Sequence, residues 1–97
     1  MKKLFSVLTD DLEHCYICGS TMVAIHHVFY GTANRKKSTK YGFILPLHPR
    51  WHTESNDAVH KGNIRLDLQL KQLAQTYFEA NIGTRVDFIL EFGKSWL

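Results

Sequence analysis

Apolar positions change their period along the chain. Ahead of Gly62 they come in short runs bounded by turn residues, and beyond it they recur at helical spacing. Lys2 to Leu8 reads as a short strand, with Leu4, Val7 and Leu8 as its apolar positions, and Asp10 to His14 as a polar turn. Thr21 to Tyr30 is rich in β-branched and aromatic residues, which suit a pleated, half-buried surface, so a strand is expected there. Gly31 to Gly42 reads as a loop and Phe43 to Leu47 as a short buried strand. Pro49 fits the first turn of a helix, where its missing N–H costs nothing. That helix is expected from about Arg50 to His60, ended by Gly62.

In the C-terminal part, Leu66, Leu70, Leu73 and Tyr77 follow i, i+4, i+7, i+11 and share one helical stripe, widened by Ala74 and Phe78. Gly83 ends this helix. Thr84 and Asp87 stand at capping-box spacing ahead of a last short helix, with Val86, Ile89 and Leu90 expected to face inward. Strands followed by helices make the expected class α+β. With 97 residues the chain is one domain, 1–97, divided into a chemistry-bearing part (15–62) and a helical scaffold (63–97) that holds no His or Cys.

Composition narrows the picture. The chain is 44% hydrophobic and 22% charged, which excludes a disordered tail. The longest uncharged stretch, Cys15 to Asn34, contains two histidines and turn residues, so no membrane span is expected. Lys2 and Lys3 precede an apolar run that Asp10 and Asp11 cut short, too short for a signal peptide, and a cytoplasmic location is expected. A net charge of +3 permits nucleic acid as a partner.

The six histidines and two cysteines all lie between His14 and His60. Cys15-x-x-Cys18 followed by Gly19 has the form of a zinc knuckle: two thiolates on a tight turn, with glycine free to take positive φ. Two more ligands must come from elsewhere. His48 and His52 offer His-x3-His at the start of the expected helix, where i and i+4 share a face. A redox role for the cysteines fits poorly, because the pair does not open a helix after a buried strand. His26 and His27 are adjacent on a strand and so point to opposite faces. One ring can hold a metal while its neighbour polarises a water beside it. His52, Asn56 and His60, spaced by four, would lie on one helical face toward the same ion. Arg35, Lys36, Lys37 and Lys40 place four positive charges in six residues between the two strands, suited to meeting phosphates by charge alone. Trp51 can either pack or stack on a base, and His14 is expected to be exposed.

This arrangement resembles the HNH, or His-Me finger, endonucleases with the ββα-metal fold, over Cys15 to about Gly62. His26-His27 matches the family's metal-binding residue followed by its general-base His. His52 matches the metal-binding residue at the helix start, His60-Lys61-Gly62 resembles the late helical ligand of colicin-type members, and Cys15-x-x-Cys18 matches an upstream zinc knuckle. The stretch Gly31 to Ser38, with Lys40-Tyr41-Gly42, is also similar to small HNH-like proteins of bacteriophages and prophages. The resemblance implies a structural Zn²⁺ on Cys15 and Cys18 with His48 as third ligand and His52 or His14 recruited for the lost cysteine, which would share a ligand with the catalytic ion or leave only one metal. It also implies a second divalent ion (Mg²⁺, Mn²⁺ or Zn²⁺) on His26, His52 and His60, with His27 as base and His26 as ligand. The sequence leaves the reverse assignment of these two rings open.

DNA is the implied partner, and metal-dependent phosphodiester hydrolysis the implied activity, in the bacterial host cytoplasm if the protein is phage-encoded. Two positions depart from the family. Its second Cys-x-x-Cys reads as His48 and Trp51, and Phe43 stands where its middle asparagine is expected, with Asn56 a poorly aligned substitute. These departures point to an alternative: a non-catalytic, zinc-stabilised nucleic-acid-binding module.

Overall fold

A computed structural model describes residues 4–55 and 58–97. Two short strands, β1 (Ala24–His27) and β2 (Ile44–Leu47), pair antiparallel, with Ala24 opposite Leu47 and His27 opposite Ile44. Helix α1 (Thr32–Tyr41) joins them, and α2 (Pro49–His52) follows β2 directly. A 3-10 turn (Val59–Lys61) precedes two helices, α3 (Ile64–Asn81) and α4 (Arg85–Phe92). The architecture is a small α+β fold, and among the described residues no helix is long and apolar enough to cross a membrane.

The segment read as a loop from Gly31 to Gly42 is largely helix. Its sequence hides this, because α1 carries no apolar stripe and Ser38 alone in it is buried. Ser38 does a strand's work: its hydroxyl donates to the Phe29 carbonyl at 2.7 Å and accepts from the Phe29 N–H at 3.0 Å. Gly42 closes the helix in the left-handed conformation at φ 77°, with its N–H turned back to the carbonyls of Ser38 and Thr39. A Cβ at Gly42 would lie 2.5 Å from the Phe5 ring, so this position needs glycine for space as well as for φ. Residues Leu4 to Leu8 are not a strand. They lie against this turn through Val7 N–H to Gly42 O (3.0 Å) and Ser6 hydroxyl to Ile44 O (2.7 Å).

Three other expectations are revised. The strand expected over Thr21 to Tyr30 is confined to Ala24–His27. The helix expected from Arg50 to His60 ends at His52, where Thr53 and Glu54 turn their N–H groups to Pro49 O and the Ser55 hydroxyl donates to Arg50 O at 2.7 Å. Hydroxyl side chains of this kind compete with helix propagation. Asn56 lies outside the described residues. The expected inward face of α4 is also displaced: Val86 and Leu90 are 65% and 77% exposed, whereas Phe88 and Phe92 are buried. Five of the seven positions of α4 from Val86 to Phe92 are apolar and they surround the helix, so periodicity alone cannot set its phase. The aromatic core sets it, with Phe29 to Phe92 ring centroids at 4.5 Å and Phe78 to Phe88 at 5.4 Å. The Thr84–Asp87 capping box is present. In α3, Leu70, Ala74 and Phe78 are buried, while Leu73 turns outward.

Candidate metal centre

Three histidines far apart in sequence converge beside the sheet. His26 comes from β1, His52 from the end of α2 and His60 from the 3-10 turn. Local chemistry places each. The His48 ring caps α2 by accepting the Arg50 N–H on Nδ1 at 3.0 Å, and Pro49 holds the first turn, which sets His52 one turn later. Gly62 in the left-handed region and Asn63, whose side chain accepts the Leu66 N–H at 3.1 Å, join the turn bearing His60 to α3. The ligating atoms of the three rings lie within 4.8 Å of one another. His52 Nε2 and His60 Nε2 are 3.1 Å apart. Two nitrogens on one tetrahedral zinc, at Zn–N near 2.05 Å, stand about 3.3 Å apart.

His26 is fully buried, and neither ring nitrogen has a hydrogen-bond partner among the described residues. Burial, reinforced by the positive charge of His52, His60, His27 and Lys71, lowers its pKa from 6.5 to about 3. The ring is therefore neutral and its lone pair available. An unpartnered buried nitrogen costs about 1–3 kcal/mol, and a cation at the centre of the trio is what would satisfy it. Burial lowers His52 and His60 as well. Three imidazoles with room for water or substrate make the donor set of an open, catalytic-type metal site.

His27 ends β1 and lines a cleft of about 810 Å³, into which His52 and His60 also open. Burial, then the Arg35 guanidinium, lower its pKa. Arg35, Lys36 and Thr39 form the facing wall from α1. The four cations read together in the sequence are thus divided. Arg35 and Lys36 reach the cleft, Lys37 donates to the Glu91 carbonyl and ties α1 to α4, and Lys40 lies 5.1 Å over the Tyr41 ring.

Cys15 and Cys18 form a separate pair, both free thiols, with Cys15 buried and Cys18 exposed. Gly19, at φ 76°, closes their turn. The Cys15 sulfur accepts three backbone N–H groups, from Ile17 (3.4 Å), Cys18 (3.5 Å) and His48 (3.2 Å). Burial opposes ionisation there, but the N–H donors and the Cys18 thiol outweigh it and the pKa is lowered. The pair could bind a metal. Among the described residues, however, no His, Cys, Asp or Glu completes a group of three with it. His48, expected as the third ligand, meets Cys15 through its backbone and uses ring Nδ1 as a helix cap, and His52 belongs to the histidine trio. His14 is exposed and pairs with Asp11 at 2.7 Å. Trp51 packs on the core, with the Arg50 guanidinium 4.9 Å from its ring centroid. Sequence reasoning missed Tyr30, whose ring meets that of His60 at 4.9 Å. It also missed the α3 pair Asp67 and Lys71 behind it. A tyrosine in a strand and one more charge pair on a helix gave no signal.

No family model, no curated protein and no solved structure matches the chain.

Proposed function

We propose that the protein is a metal-dependent DNA endonuclease of the HNH type, hydrolysing phosphodiester bonds with one divalent ion and a histidine base. The observation that carries the proposal is the unpartnered, buried His26 facing His52 and His60, with His27 on the adjoining cleft. His26, His52 and His60 hold the ion. When bound, the ion supplies positive charge against the transition state and the departing 3′ oxygen. His27, held neutral by burial and by Arg35, takes the proton of the attacking water. Arg35 and Lys36 seat the DNA backbone across the cleft by charge, without reading bases. Cys15 and Cys18 supply two thiolates to a further zinc, on a turn tied to β2 by Tyr16 N–H to Pro46 O at 2.8 Å.

A second reading, a zinc-stabilised nucleic-acid-binding module without activity, draws support from Phe43. It is fully buried at the place where the family's middle asparagine is expected. Plasmid nicking in Mg²⁺, Mn²⁺ or Zn²⁺ separates the two. The wild type should nick, and His27→Ala should lose about 10²–10⁴-fold in rate while keeping its metal. A wild type inert with every ion favours the module. An active His27→Ala beside an inactive, metal-loaded His26→Ala reverses the roles of the two rings.

A further inference from the structure

Cys15 and Cys18 stand apart from the histidine trio, on a turn that the backbone holds in shape. Cys15 N–H donates to Ser20 O at 2.7 Å and Gly19 N–H to Cys15 O at 2.9 Å, which closes the turn on itself. The Cys15 sulfur is fixed by the backbone N–H groups of Ile17, Cys18 and His48. Cys15 is buried against the core, whereas Cys18 lies at the exposed tip.

The donor count is what sets this turn apart. A structural zinc is closed by four protein ligands, and even a catalytic zinc keeps three. The turn supplies two thiolates. Among the described residues no His, Cys, Asp or Glu brings a third donor to it: the His48 ring accepts the Arg50 N–H on Nδ1, and His14 is paired with Asp11. Two thiolates are half of a four-thiolate site, and a two-fold axis through the ion supplies the other half from an identical turn.

The surface around the tip suits such an approach. The chain carries a net charge of +3, which opposes self-association in general. Cys15 to Val23, however, include no charged side chain. Tyr16, Ile17 and Met22 are 44%, 38% and 64% exposed. Tyr16 and Ile17 also line one end of an apolar groove of about 550 Å³ that continues over Trp51, Leu66 and Leu73. We propose that the chain forms a two-fold dimer around a shared zinc ion held by Cys15 and Cys18 of each copy, with the exposed apolar side chains of the tip as the rest of the interface. This rests on the cysteine-zinc part of the function proposed above and is independent of the histidine site.

The test weighs the full chain by multi-angle light scattering, with His60→Ala in place so that the cysteine pair alone is counted. Loaded with Zn²⁺, this protein should have twice the 11.3 kDa mass of one chain. It should hold about half a zinc ion per chain beyond what Cys18→Ser retains. A chelator, or Cys18→Ser, should return it to the mass of one chain. Co²⁺ in place of zinc should give the visible spectrum of a tetrahedral all-thiolate site, saturating at about half an equivalent per chain. Ile17→Glu keeps both sulfurs and sets a carboxylate beside them in each copy. It should weaken the dimer by about tenfold or more with the fold intact. A single chain that holds a whole zinc on its cysteines would overturn the shared site and leave the cysteine-zinc reading standing. A dimer that survives both the chelator and Cys18→Ser would overturn it too, since zinc would not be what holds the copies together. Zinc content unchanged by Cys18→Ser would overturn the cysteine-zinc reading, and this proposal with it.

Discussion

Replacing His26 by Leu should make the metal-free protein more stable and the metal-loaded protein less so. The ring is fully exposed to the protein interior and not at all to water, and both of its nitrogens lack partners among the described residues. Removing that unpaired polar group returns about 1–3 kcal/mol. A near-isosteric apolar swap costs under about 1.5 kcal/mol in repacking. The net gain is of order 1 kcal/mol, or about 4–8 °C in melting temperature for a domain of this size.

The pH dependence follows from the same burial. The His26 pKa is about 3 in the fold, against 6.5. Between these values the unfolded chain binds a proton that the folded chain does not. The wild type therefore keeps its full stability above pH 6.5 and loses it as the pH falls toward 3, by up to about 1.4 kcal/mol per pH unit for this one group. His26→Leu should flatten that slope by one proton, leaving the smaller contributions of His52 and His60. Zinc at 100 times its Kd for the histidine site should raise wild-type stability by about 2.7 kcal/mol beyond whatever it adds through Cys15 and Cys18, and His26→Leu should lack that increment, so the order of the two melting curves inverts when zinc is added. Calorimetry with and without zinc, over about pH 5 to 8, reads both effects. A metal-free variant that melts below wild type, or a zinc shift in the variant as large as that of the wild type, would refute the reasoning.

Three further outcomes are expected. Arg35→Ala and Lys36→Ala should each reduce the salt dependence of duplex DNA binding by about 0.9 log unit of slope. Lys37→Ala, which loses its bond to the Glu91 carbonyl, should lower the melting temperature and leave that slope unchanged; the opposite pattern would return Lys37 to the cleft. Cys15→Ser should lower bound zinc to one per chain and reduce the melting temperature, since structural metal binding is coupled to folding. Unchanged zinc by elemental analysis would remove the cysteines from the ligand set.

Some of this protein was decided by its sequence alone, wherever a residue's own chemistry dictates its backbone. Gly19 after the cysteine pair, Pro49 at the first turn of α2 and the Thr84–Asp87 cap are legible because they depend on neighbours within a few positions. The long helix α3 is legible because an apolar stripe repeated over four turns has one phase. The sequence also concentrated histidine and cysteine in the first two-thirds of the chain.

The tertiary structure decided the rest. Helix α1 is polar all round, and its one buried residue, Ser38, is anchored to Phe29, so its helicity is set by a partner nine residues away. Helix α4 has apolar residues on several faces, and the cluster of Phe29, Phe43, Phe78 and Phe92 selects which side turns inward. His52 and His60 share a site for a different reason from their spacing of eight. The helix breaks after His52, and the 3-10 turn brings His60 back to it. Four adjacent cations are alike in sequence, but helix geometry aims two at the cleft and one at the Glu91 carbonyl. Periodicity and propensity report what a segment can bury locally. Which side chains meet across elements depends on long-range packing, and the histidine trio, on three separate elements, is a product of that packing.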